Sequence, residues 1–383
     1  MLYAIVFLIV SSCKSKDEKK SNESLSFLNL ELIADKLIER SDLKKGEKVI
    51  LISQPGGFDP IVSLLSEKIN NSGALYLGTF SVDSLKNPDY WQTDFIRKSN
   101  GKSKDELVEY LMEVDLGIML PGANPTHTEY SAMQEVLKRN KGRTIHFHWA
   151  GAYDLAGNLL NTNNKISNYY QDVLLKTDYA ELAKRQKIFE NALRENLIKI
   201  TTPLGTDIKF RIGNRPVTKQ DGDASYRQEI YKNLIDREIE LPPGAIRVAP
   251  IEETVQGTIA FPNSVWQGEK VEGLVMKFIN GKIENLSANK GEDAVLEELK
   301  SAGEAGQYFR EFALGFNPLL SIPEKDPWIP YYGYGSGVIR LSLGDNTELG
   351  GKVKGGYVRW NFFTDATVIV GEDLWVKNGK LVK

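Results

Sequence analysis

Apolar residues recur at helical spacing from Leu28 to Leu43, and the pattern then changes period. Gly46-Glu47 opens Lys48-Val49-Ile50-Leu51-Ile52-Ser53, a β-branched run short enough to be a buried strand. The alternation continues with a helix over 61–70, a strand over 74–78 and further strands over 115–120 and 143–148. Strands alternating with helices at this spacing predict a parallel sheet covered by helices. Leu174, Leu175, Tyr179, Leu182, Ala183, Ile188 and Leu193 form an apolar stripe, which predicts one connecting helix over 170–199. Beyond Ile200 the texture turns to β, with strands predicted over 206–212, 271–278 and 338–343 and a helix over 293–302. The fold class read from this pattern is an α/β domain over 27–195 followed by an α+β domain over 196–383.

The first 26 residues read differently. Leu2 to Val10 is too short an apolar run to span a bilayer and fits a secretory signal. Ser11-Ser12 then precede Cys13, the single cysteine of the chain. Small residues before a cysteine resemble a bacterial lipoprotein signal, in which that cysteine is lipidated, although Met1 leads into apolar residues without a basic segment. Lys14 to Ser24 is polar, highly charged and free of apolar residues, so it reads as a disordered tether. The expectation is a lipid-anchored soluble domain in a bacterial cell envelope, periplasmic or surface-exposed, that meets the membrane through its anchor only. An uncleaved N-terminal anchor or a buried strand is the alternative for the same residues.

Composition narrows the partners. A net charge of −3 over 383 residues, with 26% charged, gives no basic footprint for nucleic acid. One cysteine excludes an intramolecular disulfide framework. The Gly56-Gly57 loop has neither dinucleotide-fingerprint spacing nor a P-loop lysine, and reads as a plain strand-to-helix turn.

Candidate chemistry lies in three segments: Pro242-Pro243-Gly244-Ala245 with Ala249-Pro250, Arg310-Glu311-Phe312-Ala313-Leu314-Gly315, and Val358-Arg359-Trp360-Asn361. They resemble the landmark motifs of the aminopeptidase T family of thermophilic metalloaminopeptidases, over nearly the whole chain after the tether. The resemblance implies two divalent metal ions, an aminopeptidase reaction and a homodimer. It also implies metal ligands at Ala245, Glu311, Arg340, Arg359 and Asn361, of which only Glu311 keeps a family ligand type. A tyrosine expected beyond Gly344 is also absent, with Thr347 nearby, and no histidine follows His148. Guanidinium offers donors and no lone pair, so arginine cannot replace a histidine ligand. Glu252 or Glu253 could substitute for the missing carboxylate at Ala245.

Arginine does suit one task, which is pairing with carboxylates left behind when metal is lost. The expectation is that Arg340 and Arg359 fill the former metal volume and pair with Glu311. Glu252, Glu311, Arg340, Arg359 and Tyr332 are the candidate ligand-binding residues, with no cofactor expected. His146 and His148 share one strand face and with His127 could make a three-histidine metal site, though a packed strand-end pair is the commoner arrangement. Trp328, Tyr331, Tyr332 and Tyr334 could line a cleft or simply pack.

The sequence leaves open whether the chain is an enzyme. One reading is a metal-free homologue that binds a small carboxylate-bearing ligand, such as an amino acid or peptide. A second is an active metal-dependent aminopeptidase with relocated ligands. A third is a surface interaction protein, or an enzyme without metal, on the same scaffold.

Overall fold

The structure, a computed structural model, describes residues 28–56, 58–83, 88–147, 149, 152–155, 158–161, 163–225, 236–330 and 335–383. Cys13, His148, Tyr331, Tyr332 and Tyr334 lie outside the described residues, as does the tether. Among the described residues, no helix is long and apolar enough to cross a membrane.

The first unit runs α1 (Leu30–Ser41), β1 (Lys48–Ser53), α2 (Asp59–Asn71), β2 (Leu75–Ser81), α3 (Asp94–Ser99), α4 (Lys104–Leu111), β3 (Leu116–Met119), α5 (Thr128–Lys138) and β4 (Arg143–Phe147). Its strands pair in parallel in the order β2-β1-β3-β4. Val49 and Leu51 pack under α1 and α2, while Ile50 and Ile52 pack under α4 and α5. Successive strand residues point to opposite faces, so helices on both sides require the continuous apolar run seen in the sequence. Gly56 N donates to the Asp59 carboxylate at 2.8 Å at the start of α2, so the glycine loop is a turn into that helix.

The connecting helix differs from expectation. It is two helices, α6 (Asn164–Lys176) and α7 (Tyr179–Glu195), broken at Thr177-Asp178. The Asp178 carboxylate accepts from Glu181 N at 3.0 Å, so a new N-cap restarts the helix where a continuous stripe suggested none.

The second unit contributes β5 (Ile198–Thr201), β6 (Asp207–Phe210), β7 (Val217–Lys219), β8 (Glu238–Leu241), β9 (Ala245–Val248), β10 (Gln256–Ala260), β11 (Ser264–Trp266), β12 (Glu269–Val271), β13 (Val275–Ile279), β14 (Lys282–Ser287) and α8 (Glu292–Ser301). After these come β15 (Phe309–Gly315), β16 (Ile339–Gly344), β17 (Val358–Arg359), β18 (Phe362–Phe363), β19 (Thr367–Val370), β20 (Asp373–Lys377) and β21 (Lys380–Leu381). An eight-stranded sheet in the order β14-β13-β10-β6-β5-β19-β20-β21 packs against a second sheet, β17-β16-β15-β9-β7, with β18 also on β16. Phe210, Phe278, Phe309, Phe312 and Trp375 fill the space between them. The architecture is thus a parallel α/β unit followed by an α+β unit. One strand crosses between them: β8 lies beyond residue 196 yet pairs in parallel with β4, extending the first sheet.

Candidate functional site

One face of the sheet built on β15 packs into the second core, and the other carries charge. Phe312 and Leu314 point inward, so alternation turns Glu311 and Ala313 to the opposite face. The strand register then lays Thr218, Arg247, Ala313 and Arg340 in one row across β7, β9, β15 and β16. Glu311 pairs with Ser342 in the neighbouring row. A register shift between Phe309 and Glu311 inserts one extra residue, Arg310. Such a bulge re-aims a side chain, and here it brings Arg310 to the face of Glu311 while Phe309 and Phe312 both stay in the core.

The result is a buried cluster of arginines and carboxylates. Glu311 is wholly buried, and its carboxylate pairs with Arg340 at 2.7 Å, with Arg247 at 3.2 Å and with Arg310. Ser342 Oγ donates to the same carboxylate at 3.2 Å. Glu348 Oε1 accepts from Arg247 at 2.7 Å and from Arg310, which ties the cluster to the loop after β16. Burial would push the Glu311 carboxyl up, but the guanidiniums of Arg310, Arg340 and Arg247 together overcome it and hold the group well below the usual carboxylate range. The Arg340 guanidinium also lies 4.7 Å from the ring centroid of Trp360, so an exposed indole covers an arginine that is only 1% exposed.

The other sequence-derived positions are distributed as follows. Arg359 does not pair with Glu311. Its guanidinium pairs with Glu298 at 2.7 Å and lies 3.4 Å from the centroid of Trp266. Neighbouring residues on a strand alternate, and it is Trp360 whose side chain meets the cluster. Asn361 donates its side-chain amide to Leu341 O at 3.2 Å. Ala245 is fully buried against the core of the first unit and supplies no ligand group. Glu252 belongs to a separate network, paired with Arg215 and accepting from Asn346 Nδ2 at 3.0 Å and Lys352 N at 2.8 Å. Glu253 pairs at the surface with Lys352. Neither glutamate replaces the carboxylate missing at Ala245.

Of the three histidines, His148 lies outside the described residues, and the other two have separate partners. His127 precedes α5, and its Nδ1 accepts from Asn124 N at 3.1 Å. His146 is buried, with its ring nitrogens 3.0 and 3.2 Å from the Tyr130 hydroxyl. Trp328 packs edge-on against Tyr169 at 4.9 Å and belongs to the core of the first unit.

A cavity of about 580 Å³ opens beside the cluster, where the two units meet. Gln134, Lys138 and Glu238 form its wall on the first sheet's side; Arg310, Thr347 and Glu348 form the opposite wall. Asp345 also faces it, but its oxygens are engaged by Thr347 and by the amides of Gly355 and Gly356. Arg247, Arg310, Glu238 and Glu348 are the residues that the sequence motifs did not reveal. For Arg247 a signal existed, since it lies two residues beyond Ala245 on one strand and shares its face.

The two metal ions that the motifs imply do not fit this donor set. Every close partner of Glu311 is a donor, and three of them carry positive charge. Among the described residues, no group of three or more histidine, cysteine, aspartate or glutamate side chains is arranged to hold a metal ion.

Fold and site together define a two-unit α/β and α+β protein with a buried salt-bridge cluster around Glu311. Residues 175–322 match the family described as thermophilic metalloprotease (M29). Over that stretch the chain is similar to the aminopeptidase T family. Wild-type AmpT from Thermus thermophilus is similar in fold, with a TM-score of 0.57 and 17% identity over 93% of this chain and 99% of that one. The 2,5-dihydroxypyridine dioxygenase from Pseudomonas putida KT2440 is similar too, with a TM-score of 0.60 and 13% identity over 92% of this chain and 96% of that one. The comparison with curated proteins finds no match.

Proposed function

We propose that this chain is a metal-free, non-peptidase relative of aminopeptidase T that binds a small carboxylate-bearing ligand, an amino acid or short peptide. The binding place is the cavity beside Arg310, and a lipid on Cys13 holds the domain in a bacterial cell envelope, on its periplasmic or outer face. The observation that carries the reading is the state of Glu311: three guanidiniums and a hydroxyl surround the one retained ligand-type residue. A metal ion would have to displace fixed positive charges at close range, which opposes its entry. A ligand carboxylate, by contrast, has the charge that this arginine cluster attracts. A guanidinium carries five N–H donors; three from Arg310 are engaged, by Glu311, Glu348 and Asp345 O, and the residue also lines the cavity.

Metal analysis and thermal shift test this directly. Zinc, cobalt and manganese are expected to leave the melting temperature unchanged and to copurify below stoichiometric amounts. Free amino acids or dipeptides at ~100 times their Kd would stabilise the folded state by about 2.7 kcal/mol. Stoichiometric metal with chelator-sensitive release of amino acids from aminoacyl substrates would overturn the reading. The tether is checked separately: in a bacterial host the Cys13→Ser variant should leave the membrane fraction, and retention there would exclude the lipid anchor.

A further inference from the structure

A second cavity, of about 150 Å³, is lined by Asn158, Asn263, Val265, Arg359, Trp360 and Asn361 among others, and shares no lining residue with the cavity beside Arg310. It is well below the roughly 300–1,000 Å³ of sites for larger ligands, so it suits one small ring. Its polar groups are mostly acceptors. Asn361 is only 7% exposed, and its Nδ2 donates to Leu341 O at 3.2 Å, which fixes the amide and leaves Oδ1 to accept. Asn158 is fixed in the same way, because its backbone N and its Nδ2 each donate to the Asp154 carboxylate at 2.9 Å. Among the described residues nothing donates to either Oδ1, and the exposed amide of Asn263 makes no hydrogen bond. Backbone hydrogen bonds of 2.9 and 2.7 Å between Tyr153 and Ile329 hold the wall that carries Asn158. The Tyr153 ring, 6.0 Å from that of Phe362, joins this wall to the segment carrying Trp360 and Asn361. Arg359 is the one charged side chain in the lining, and it pairs with Glu298 at 2.7 Å and donates to Val265 O at 2.8 Å. The lining is thus close to neutral.

We infer that this cavity is a second, separate binding site, for one pyranose ring of a neutral sugar. The ring's hydroxyls donate to the carbonyl oxygens of Asn158, Asn263 and Asn361, and its C–H face lies against the exposed apolar surface of Val265 and Trp360. The site does not depend on the carboxylate-binding role proposed above. Three amide carbonyls call for a ligand rich in donors, and a hydroxyl supplies an O–H where an ionised carboxylate supplies none. A sugar ring also matches the division of the lining, with a hydroxyl rim for the amides and C–H faces for the apolar residues. Two of the three amides are already held by bonds to Leu341 O and Asp154, so binding orders few side chains.

The test is saturation-transfer NMR on the full chain with methyl β-D-glucopyranoside and with the corresponding glucuronide, in which a carboxylate replaces the hydroxymethyl group. The glucoside is expected to bind saturably, and the glucuronide at least about tenfold more weakly, a difference of ~1.4 kcal/mol. Asn263→Ala and Asn361→Ala should each weaken the glucoside about fivefold, the worth of one hydrogen bond. Asn361→Ala also removes the bond to Leu341 O and so tests folding as well as binding. Asn263 is exposed and makes no hydrogen bond among the described residues, so its variant should melt like wild type and decides the matter by itself. Absence of transfer to the glucoside would overturn the sugar site. A glucuronide that binds as tightly as the glucoside, or more so, would overturn it too, by showing that Arg359 governs the cavity. Unchanged glucoside affinity in Asn263→Ala would show that any sugar bound lies elsewhere.

Discussion

Replacing Glu311 with glutamine is expected to destabilise the protein by about 3–5 kcal/mol, the usual cost of removing one partner from a buried ion pair. The substitution keeps shape and deletes one charge, but that charge faces Arg247, Arg310 and Arg340 together. Without it, Glu348 is the only acidic member of the cluster, and it is 39% exposed. The contrast is Glu253, whose pair with Lys352 has both side chains largely exposed; Glu253→Gln should cost under ~1 kcal/mol. Adding Arg340→Met to Glu311→Gln should recover part of the loss, because it removes a buried cation that no longer has a counterion. Urea midpoints of Glu311→Gln, Glu253→Gln, Arg340→Met alone and the double variant measure this. A Glu311→Gln midpoint as close to wild type as that of Glu253→Gln would mean the cluster is not the charge centre described. A double variant weaker than the sum of its parts would refute the repulsion among the arginines.

Gly344→Ala is expected to be comparably severe, at about 3 kcal/mol or more, placing it among the strongly destabilising substitutions. Gly344 ends β16 at a φ of 121°, a backbone region that side chains avoid. A Cβ there would stand 1.9 Å from Tyr357 O, which is backbone and cannot rotate away. The strand would have to separate from β17 at Val358, and Arg359 would lose its place between Glu298 and Trp266. Gly356→Ala provides the comparison, since its φ is 73° and nothing lies within 4 Å of its Cβ. That variant should cost only the left-handed penalty of ~1–2 kcal/mol. Tryptophan fluorescence, through Trp266, should report local loosening in Gly344→Ala and little in Gly356→Ala. Equal urea midpoints for the two would show that the close approach at Gly344 is not limiting.

Much of the fold was legible before the structure. Lys48 to Ser53 could be read as a buried strand because both faces of the parallel sheet are covered, which forbids polar alternation. The break at Thr177-Asp178 was missed because an apolar stripe records burial and is insensitive to a change of helix axis. The strand β8 was harder still. Glu238-Ile239-Glu240-Leu241 alternates like any half-buried strand, and its partner β4 lies about ninety residues earlier in the chain. Local pattern does not specify such a long-range pairing.

The site divides in the same way. From the sequence by itself, the resemblance to the aminopeptidase T motifs implies that most metal ligands are missing, because side-chain chemistry needs no coordinates: arginine has no lone pair and alanine has no ligand atom. It also determined that Glu311 would need positive company. Tertiary structure decided which arginines provide it. A bulge admits Arg310, register admits Arg247 and Arg340, and strand alternation turns Arg359 away in favour of Trp360. It alone set Glu238 across a cavity from Arg310 and Glu348, residues separated by 72 and 110 positions along the chain. Chemistry is a property of each residue, whereas facing and proximity are set by strand pairing between distant segments.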